Sequence, residues 1–324
     1  MTTLVTTDNF ARVESDRMLA AVLRDSTQVN AWTHNRVPTP LDHQPVIRQN
    51  RDTLYSGAVV DVSQGVTITL PDSGDRYLTA MVIDQDGYVD AVIHEPGEHH
   101  LAADQLVTPH VFLAVRILVD PNDATDVTAV NTLQDELVVR AGSARPFVLP
   151  DYDPESLAAT RDSLLKLASG LPDMRRAFGR RGEVDPVRHL LGCAAAWGGL
   201  PDEEALYLNV NPGLPVGAYE LTVGHVPVDG FWSISVYNAD GYFDVDADGA
   251  VNINSVTAVP ESDGTTVIRF GGPEEHPNRL SISDGWNYMI RLYQPHQEVL
   301  NGSWTFPAVR PVNSSTLDQD ATAT

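Results

Sequence analysis

The sequence predicts a mainly β protein, with two antiparallel jelly-roll or sandwich-like domains joined by a helical connector and preceded by an N-terminal helix. Three observations carry that expectation. Residues 59–118 read as short alternating strands separated by turn residues. Residues 201–293 repeat the texture, with glycine at close intervals. Between them, residues 151–200 change to leucine-rich helical spacing opened by capping signals. The expected boundaries are a helix over 1–36, a β domain over 37–150, a helical connector over 151–200, a second β domain over 201–312 and a disordered tail over 313–324.

Asp8 is placed to cap a first helix running to about Trp32, with Phe10, Val13, Leu19, Val22 and Leu23 as its apolar stripe and Pro38 and Pro40 beyond its end. Strands follow at Val66–Leu70, Tyr77–Ile83, Tyr88–His94 and Val111–Leu118. The turns between them are Pro71-Asp72-Ser73-Gly74-Asp75, Asp84-Gln85-Asp86-Gly87 and Glu95-Pro96-Gly97. A short helix near Asp126–Leu133 leads to one more strand at Glu136–Arg140. In the connector, Asp153-Pro154 and Asp185-Pro186 each combine a cap with a first-turn proline, and Gly198-Gly199 stops the second helix. Strands return at Ala205–Val210, Ala218–Val223, Phe231–Tyr237, Thr265–Phe270 and Asn287–Tyr293.

Charge narrows the partners. The 44 acidic residues against 21 basic ones give a net charge of −23, which repels phosphate backbones and anionic membranes. A small-molecule ligand or substrate is therefore expected, with neither nucleic acid nor membrane as partner. The exposed edges of such sheets make a homo-oligomer the expected assembly. The single cysteine, Cys193, leaves no partner for an intrachain disulfide. The N-terminus has no signal-peptide pattern and no run has the length of a membrane span, so a cytoplasmic location is expected.

Three groups of phrases carry a family resemblance. They are Gln49-Asn50-Arg51-Asp52-Thr53-Leu54-Tyr55 with Tyr77–Met81 and Gln85-Asp86-Gly87-Tyr88; then Leu206–Asn209 with Val228–Tyr237; then Trp286–Pro295 with Glu298–Trp304. On these the chain resembles the bacterial proteins that pair two domains of unknown function, numbered 1254 and 1214, over roughly residues 35–310. The resemblance implies two β-rich, jelly-roll-like domains joined by helices. It implies no reaction.

The first phrase is also the densest polar cluster. Arg51 can hold a carboxylate in a bidentate fork, and Asp52 and Tyr55 can move protons. Arg51, Asp52, Tyr55 and Asp86 are the candidate catalytic residues, and Asn50, Tyr88, His94, Trp232 and Tyr237 the candidate ligand contacts. The bland alternative is a structural network that pins the entry to a strand, and a hairpin turn that explains Asp86-Gly87 without chemistry. Asp244, Asp246 and Asp248 with Gly249 match the first half of a calcium loop, but the twelfth position is Ser255 instead of glutamate. No metal is expected there beyond that incomplete calcium candidate, and no cofactor. His189 and Cys193 share a helix face, as a thiol with its base or as buried packing. No nucleophile elbow, P-loop or dinucleotide fingerprint occurs. The expected function is a cofactor-independent enzyme, a hydrolase of a small ester, amide or glycoside in a polar pocket between the β domains. The alternative is a non-catalytic β-sandwich that binds a small molecule or carbohydrate.

Overall fold

The computed structural model describes residues 2–312, and the expected tail over 313–324 lies outside the described residues. In chain order the elements are α1 (Phe10–Ser26), β1 (Thr33–His34), β2 (Thr53–Asp61), β3 (Val66–Leu70), β4 (Leu78–Asp84), β5 (Val89–Ile93), β6 (Gly97–Leu101), β7 (His110–Leu118), α2 (Ala124–Asp135), β8 (Val138–Ala141), α3 (Pro154–Ala168) and α4 (Pro186–Ala196). They continue with β9 (Ala205–Val210), β10 (Tyr219–Val223), β11 (Trp232–Tyr237), β12 (Asn252–Asn254), β13 (Thr266–Phe270), β14 (Arg279–Leu280), β15 (Asn287–Tyr293), α5 (Gln297–Leu300) and β16 (Arg310–Pro311). The mainly β class and the N-terminal helix are as the sequence predicts.

The chain forms two compact units, divided differently from the expected boundaries. The first takes the residues up to Pro38 together with Thr53–Asp202, so the two connector helices belong to it. The second takes Thr39–Asp52 and the chain from Glu203 onward.

In the first unit a five-stranded sheet, ordered β1-β2-β7-β4-β5, packs over a three-stranded one, β6-β3-β8. Alternation sets the core. Leu54, Ala58 and Val60 of β2, Leu78, Ala80 and Val82 of β4, and Val111, Leu113, Val115 and Ile117 of β7 turn to the same side and meet Val66, Ile68 and Leu70 of β3. Val130 of α2 closes one end. A separate cluster joins Phe10 and Val13 of α1, Leu164 and Ala168 of α3, and Leu191 and Cys193 of α4. The side-chain carboxylates of Asp153 and Asp185 cap α3 and α4, as their Asp-Pro signals predict.

The first helix is shorter than expected. It ends at Ser26 because Thr27 turns left-handed (φ 63°) and takes the terminal hydrogen bond to Leu23 O. Asp8 does not cap it. The N-cap position is Asn9, whose side chain instead bonds Thr6 N and Leu4 O.

In the second unit two four-stranded sheets face each other, β12-β11-β15-β9 and β14-β13-β10-β16. Among the described residues, the pairings between these named strands are antiparallel except the short β13–β14 contact. Trp232, Ile234 and Val236 of β11 and Tyr288, Ile290 and Leu292 of β15 fill the space against Leu221, Ile268, Phe270 and Leu280. Among the described residues no helix is long and apolar enough to cross a membrane.

Candidate functional site

Two polar networks, one in each unit, hold most of the candidate residues, while Tyr55, His94 and Trp232 lie outside both. In the second unit, alternation leaves Ser233, Ser235 and Tyr237 on the face of β11 opposite its apolar residues, with Arg291 paired across from Ser233. The Thr39–Asp52 segment is hydrogen-bonded to that face. Arg291 Nη1 donates to Ser235 Oγ at 2.8 Å, and Nη2 to Tyr237 Oη at 2.8 Å and to Arg48 O at 2.9 Å. Tyr237 Oη donates on to Gln49 O at 2.8 Å. Asn252 and Asn254 donate to Asp52 Oδ1 at 3.2 and 3.4 Å, while Asp52 Oδ2 lies 4.0 Å from Arg291 Nη1.

Asp52 has 0% relative exposure and Arg291 2%, so this is an interior pair. Burial raises the Asp52 carboxyl, opposed by Arg291, the facing Ser233 hydroxyl and the two asparagines. Burial works against the Arg291 charge as well, but Tyr237, Tyr293 and Asp52 together raise it above the ordinary guanidinium value. Asn50 Nδ2 donates to Tyr293 Oη at 3.0 Å, and its Oδ1 accepts Asp52 N at 2.8 Å. Arg51 donates to Thr39 O, and burial lowers its pKa while Asp52 opposes. Trp232 packs in the core against Phe306. Arg291, Tyr237, Tyr293, Asn252 and Asn254 act as struts that hold Thr39–Asp52 to the sheet.

The calcium candidate is engaged as well. Arg279 grips Asp248 with two hydrogen bonds of 3.0 and 2.8 Å and Ser281 adds a third, bringing the carboxyl down to about 2. Asp244 Oδ1 accepts Asp246 N in a tight turn. A calcium ion there would have to displace the arginine.

In the first unit, Tyr55 lies in β2 opposite Arg116, whose guanidinium carbon stands 5.6 Å from the ring centre. His94 Nδ1 is 3.2 Å from Leu78 O, and its ring lies 6.0 Å from that of Tyr77. Asp86 and Tyr88 belong to another cluster, at the β4–β5 hairpin. Gly87 N bonds Asp84 O at 3.0 Å, and Gly87 takes the positive φ (81°) such a turn needs. Asp84 Oδ1 accepts the backbone N–H groups of Asp86 and Tyr88 at 2.8 and 2.9 Å.

Arg181 Nη2 bridges Asp84 and Asp86 at 3.0 and 2.8 Å, and Arg12 binds Asp86 from the other side at 2.6 Å. The Tyr88 ring is held between the Arg181 guanidinium, 4.1 Å from its centre, and the His189 ring, stacked at 4.0 Å. Burial raises Tyr88, helped by Asp84 and Asp86 against Arg181. Cys193 Sγ lies 3.7 Å from His189 Nε2. Burial and the nearby Asp84 and Asp86 push its thiol up to about 12, so it stays protonated and is no nucleophile at neutral pH.

One group here was not among the expected site residues. The β4–β5 pairing slips between Val82, opposite Ala91, and Ile83, opposite Val89, which leaves Asp90 as the extra residue of a bulge. Its Oδ2 is buried without a hydrogen-bond partner. Burial first, then the Asp84 charge, push its carboxyl up to about 7, against Arg181 and Arg180. The sequence signal was a carboxylate inside the run Val89-Asp90-Ala91-Val92-Ile93, with the Arg180-Arg181 pair between Gly179 and Gly182 far along the chain.

This shift has a measurable consequence. Between its ordinary 3.8 and about 7, folded Asp90 keeps a proton that the unfolded chain releases. Fewer protons on the unfolded state mean that stability falls as pH rises through that window. Asp90→Asn, which cannot ionise, is expected to melt close to wild type at pH 4 and above it at pH 8. Melting temperatures across that range check it, and parallel curves for the two proteins would refute it.

Together these features define a protein of two β-sandwich units, each with its own polar network, buried in the second and partly exposed in the first. Residues 29–109 match the family described as protein of unknown function DUF1254, and residues 212–297 match protein of unknown function DUF1214. The chain belongs to the family that pairs these two domains. It is similar in fold to a crystal structure of a protein from Vibrio parahaemolyticus, with a TM-score of 0.70 and 17% identity over 95% of this chain and 100% of that one. A crystal structure of an uncharacterized protein from Burkholderia cenocepacia gives a TM-score of 0.54 and 15% identity over 96% and 88% of the two chains. No curated protein matches the chain.

Proposed function

We propose that the protein is a cofactor-independent hydrolase of a small ester, amide or glycoside, with Asp90 moving the proton. The observation that carries this reading is the Asp90 carboxyl, whose Oδ2 is buried without a hydrogen bond while its pKa sits at about 7. A group poised near neutral pH serves equally as acid and as base. In this scheme Asp90 takes a proton from an attacking water and returns it to the leaving group. Asp84 and Asp86, tied down by Arg12 and Arg181, keep the hairpin rigid beneath it. A non-catalytic binding protein is the second reading, favoured by the protonated Cys193 thiol, which offers no activated nucleophile.

The test is hydrolysis of p-nitrophenyl acetate, an alanine p-nitroanilide and p-nitrophenyl β-glucoside from pH 5 to 9, by wild type and Asp90→Asn. For at least one compound the expected kcat/KM has a limb near pH 7, and Asp90→Asn loses about 100-fold or more, the usual scale for a general acid–base. Equal rates in the two proteins would defeat the hydrolase reading. So would no turnover at all, and binding would then stand in its place if one of these compounds raised the melting temperature.

A further inference from the structure

Resting on Asp90 as the working group, we infer that the hairpin site takes an anionic small molecule, whose carboxylate or phosphate group is received by the Arg180 guanidinium. The chain concentrates five of its arginines, Arg175, Arg176, Arg180, Arg181 and Arg188, within one short stretch, although its net charge is −23. Several of them are spent on the fold. Arg188 Nη1 binds Asp173 at 3.0 Å, and Arg181 bridges Asp84 and Asp86.

Arg180 differs. It is exposed and has no side-chain hydrogen bond or ion pair among the described residues. Yet it is close enough to act on the Asp90 carboxyl. The backbone holds it there, since Gly179 O accepts Val89 N at 2.9 Å, directly before Asp90, and Arg180 O accepts Glu183 N at 3.0 Å.

The other charges around the hairpin balance: Asp84 and Asp86 are matched by Arg12 and Arg181. What remains uncommitted is one cation beside one carboxyl with an unpartnered oxygen. An anion on Arg180 supplies the counter-charge, and the protonated Asp90 carboxyl can donate to the same ligand. The strongly negative chain disfavours a polyanion, whose charge would extend beyond this small basic area, whereas a small anion stays within it.

The experiment is calorimetric titration of the full-length protein with sodium phosphate and, separately, sodium succinate at matched ionic strength. Saturable binding of at least one is expected, weakened at least tenfold in Arg180→Ala and unchanged in Arg310→Ala, whose arginine is exposed on β16. Phosphate alone would assign a phosphate ligand, and succinate alone a carboxylate. No saturable binding, or equal binding by Arg180→Ala, overturns the inference. Asp90→Asn separates it from the hydrolase reading. Anion binding that persists there without any wild-type turnover defeats only hydrolysis, while Asp90-dependent turnover without anion binding defeats only this inference.

Discussion

Asp52→Ala is expected to destabilise the second unit by about 3–5 kcal/mol, the usual cost of leaving one member of a buried ion pair alone. Arg291 would remain charged in the interior, 2% exposed, with its nearest carboxylate gone. Asn252 and Asn254 would lose their shared acceptor at the same time. Asp52→Asn keeps the shape and an acceptor oxygen, so its cost is expected to be smaller. Arg291→Met should also destabilise, but Asp52→Ala with Arg291→Met should cost less than the sum, because the second change removes the stranded charge. Urea unfolding followed by tryptophan fluorescence measures all four variants. Strict additivity of the two single changes would show that the pair does not act as a unit. The two units can unfold separately, so each transition is fitted by itself.

Gly271→Ala is the second large effect, at about 2–5 kcal/mol. The residue follows β13 with φ at 65°, where an L side chain costs about 1–2 kcal/mol. A Cβ there would also run into the carbonyl oxygen of Gly217 and stand 3.0 Å from Ile282 Cδ1. Crowding of that kind adds about 1–3 kcal/mol, more readily because a backbone oxygen cannot swing aside as a side-chain end can. Gly264→Ala is the control. Its φ is similar at 82°, but nothing lies within 4 Å of the added carbon, so only the conformational cost applies. The difference between the two measures the collision. Equal losses would mean that Gly217 moves away freely.

The phrase Asn50-Arg51-Asp52-Thr53-Leu54-Tyr55 shows how far a sequence can be read. Its polar density leaves two readings open, a catalytic cluster or a structural network that pins a strand entry, and Asp52 lies in a network with Asn252 and Asn254. The division of the phrase between two units could not be anticipated. Asp52 faces Arg291, which is 239 residues away in the sequence, while Tyr55 pairs with Arg116 in the other unit. The strands at Val66–Leu70 and Ala205–Val210 were legible because alternation and turn residues are local. Strand β6, Gly97-Glu98-His99-His100-Leu101, was not, because an edge strand is satisfied by backbone pairing with β3 and needs little apolar alternation.

Asp90 illustrates the same divide at the level of chemistry. Its residue type and position in a hydrophobic run are written in the chain, but its pKa near 7 comes from burial first and then from the Asp84 charge, held in check by an arginine pair 90 residues downstream. Local order therefore belongs to the sequence alone: the β class, the Asp-Pro caps of α3 and α4 and the Asp-Gly hairpin all follow from neighbours in the chain. Which carboxylates meet an arginine, as Asp52 meets Arg291, and how deeply Asp90 is buried were decided by tertiary structure. Desolvation and Coulomb forces depend on distance through space, and residues remote in sequence set those distances.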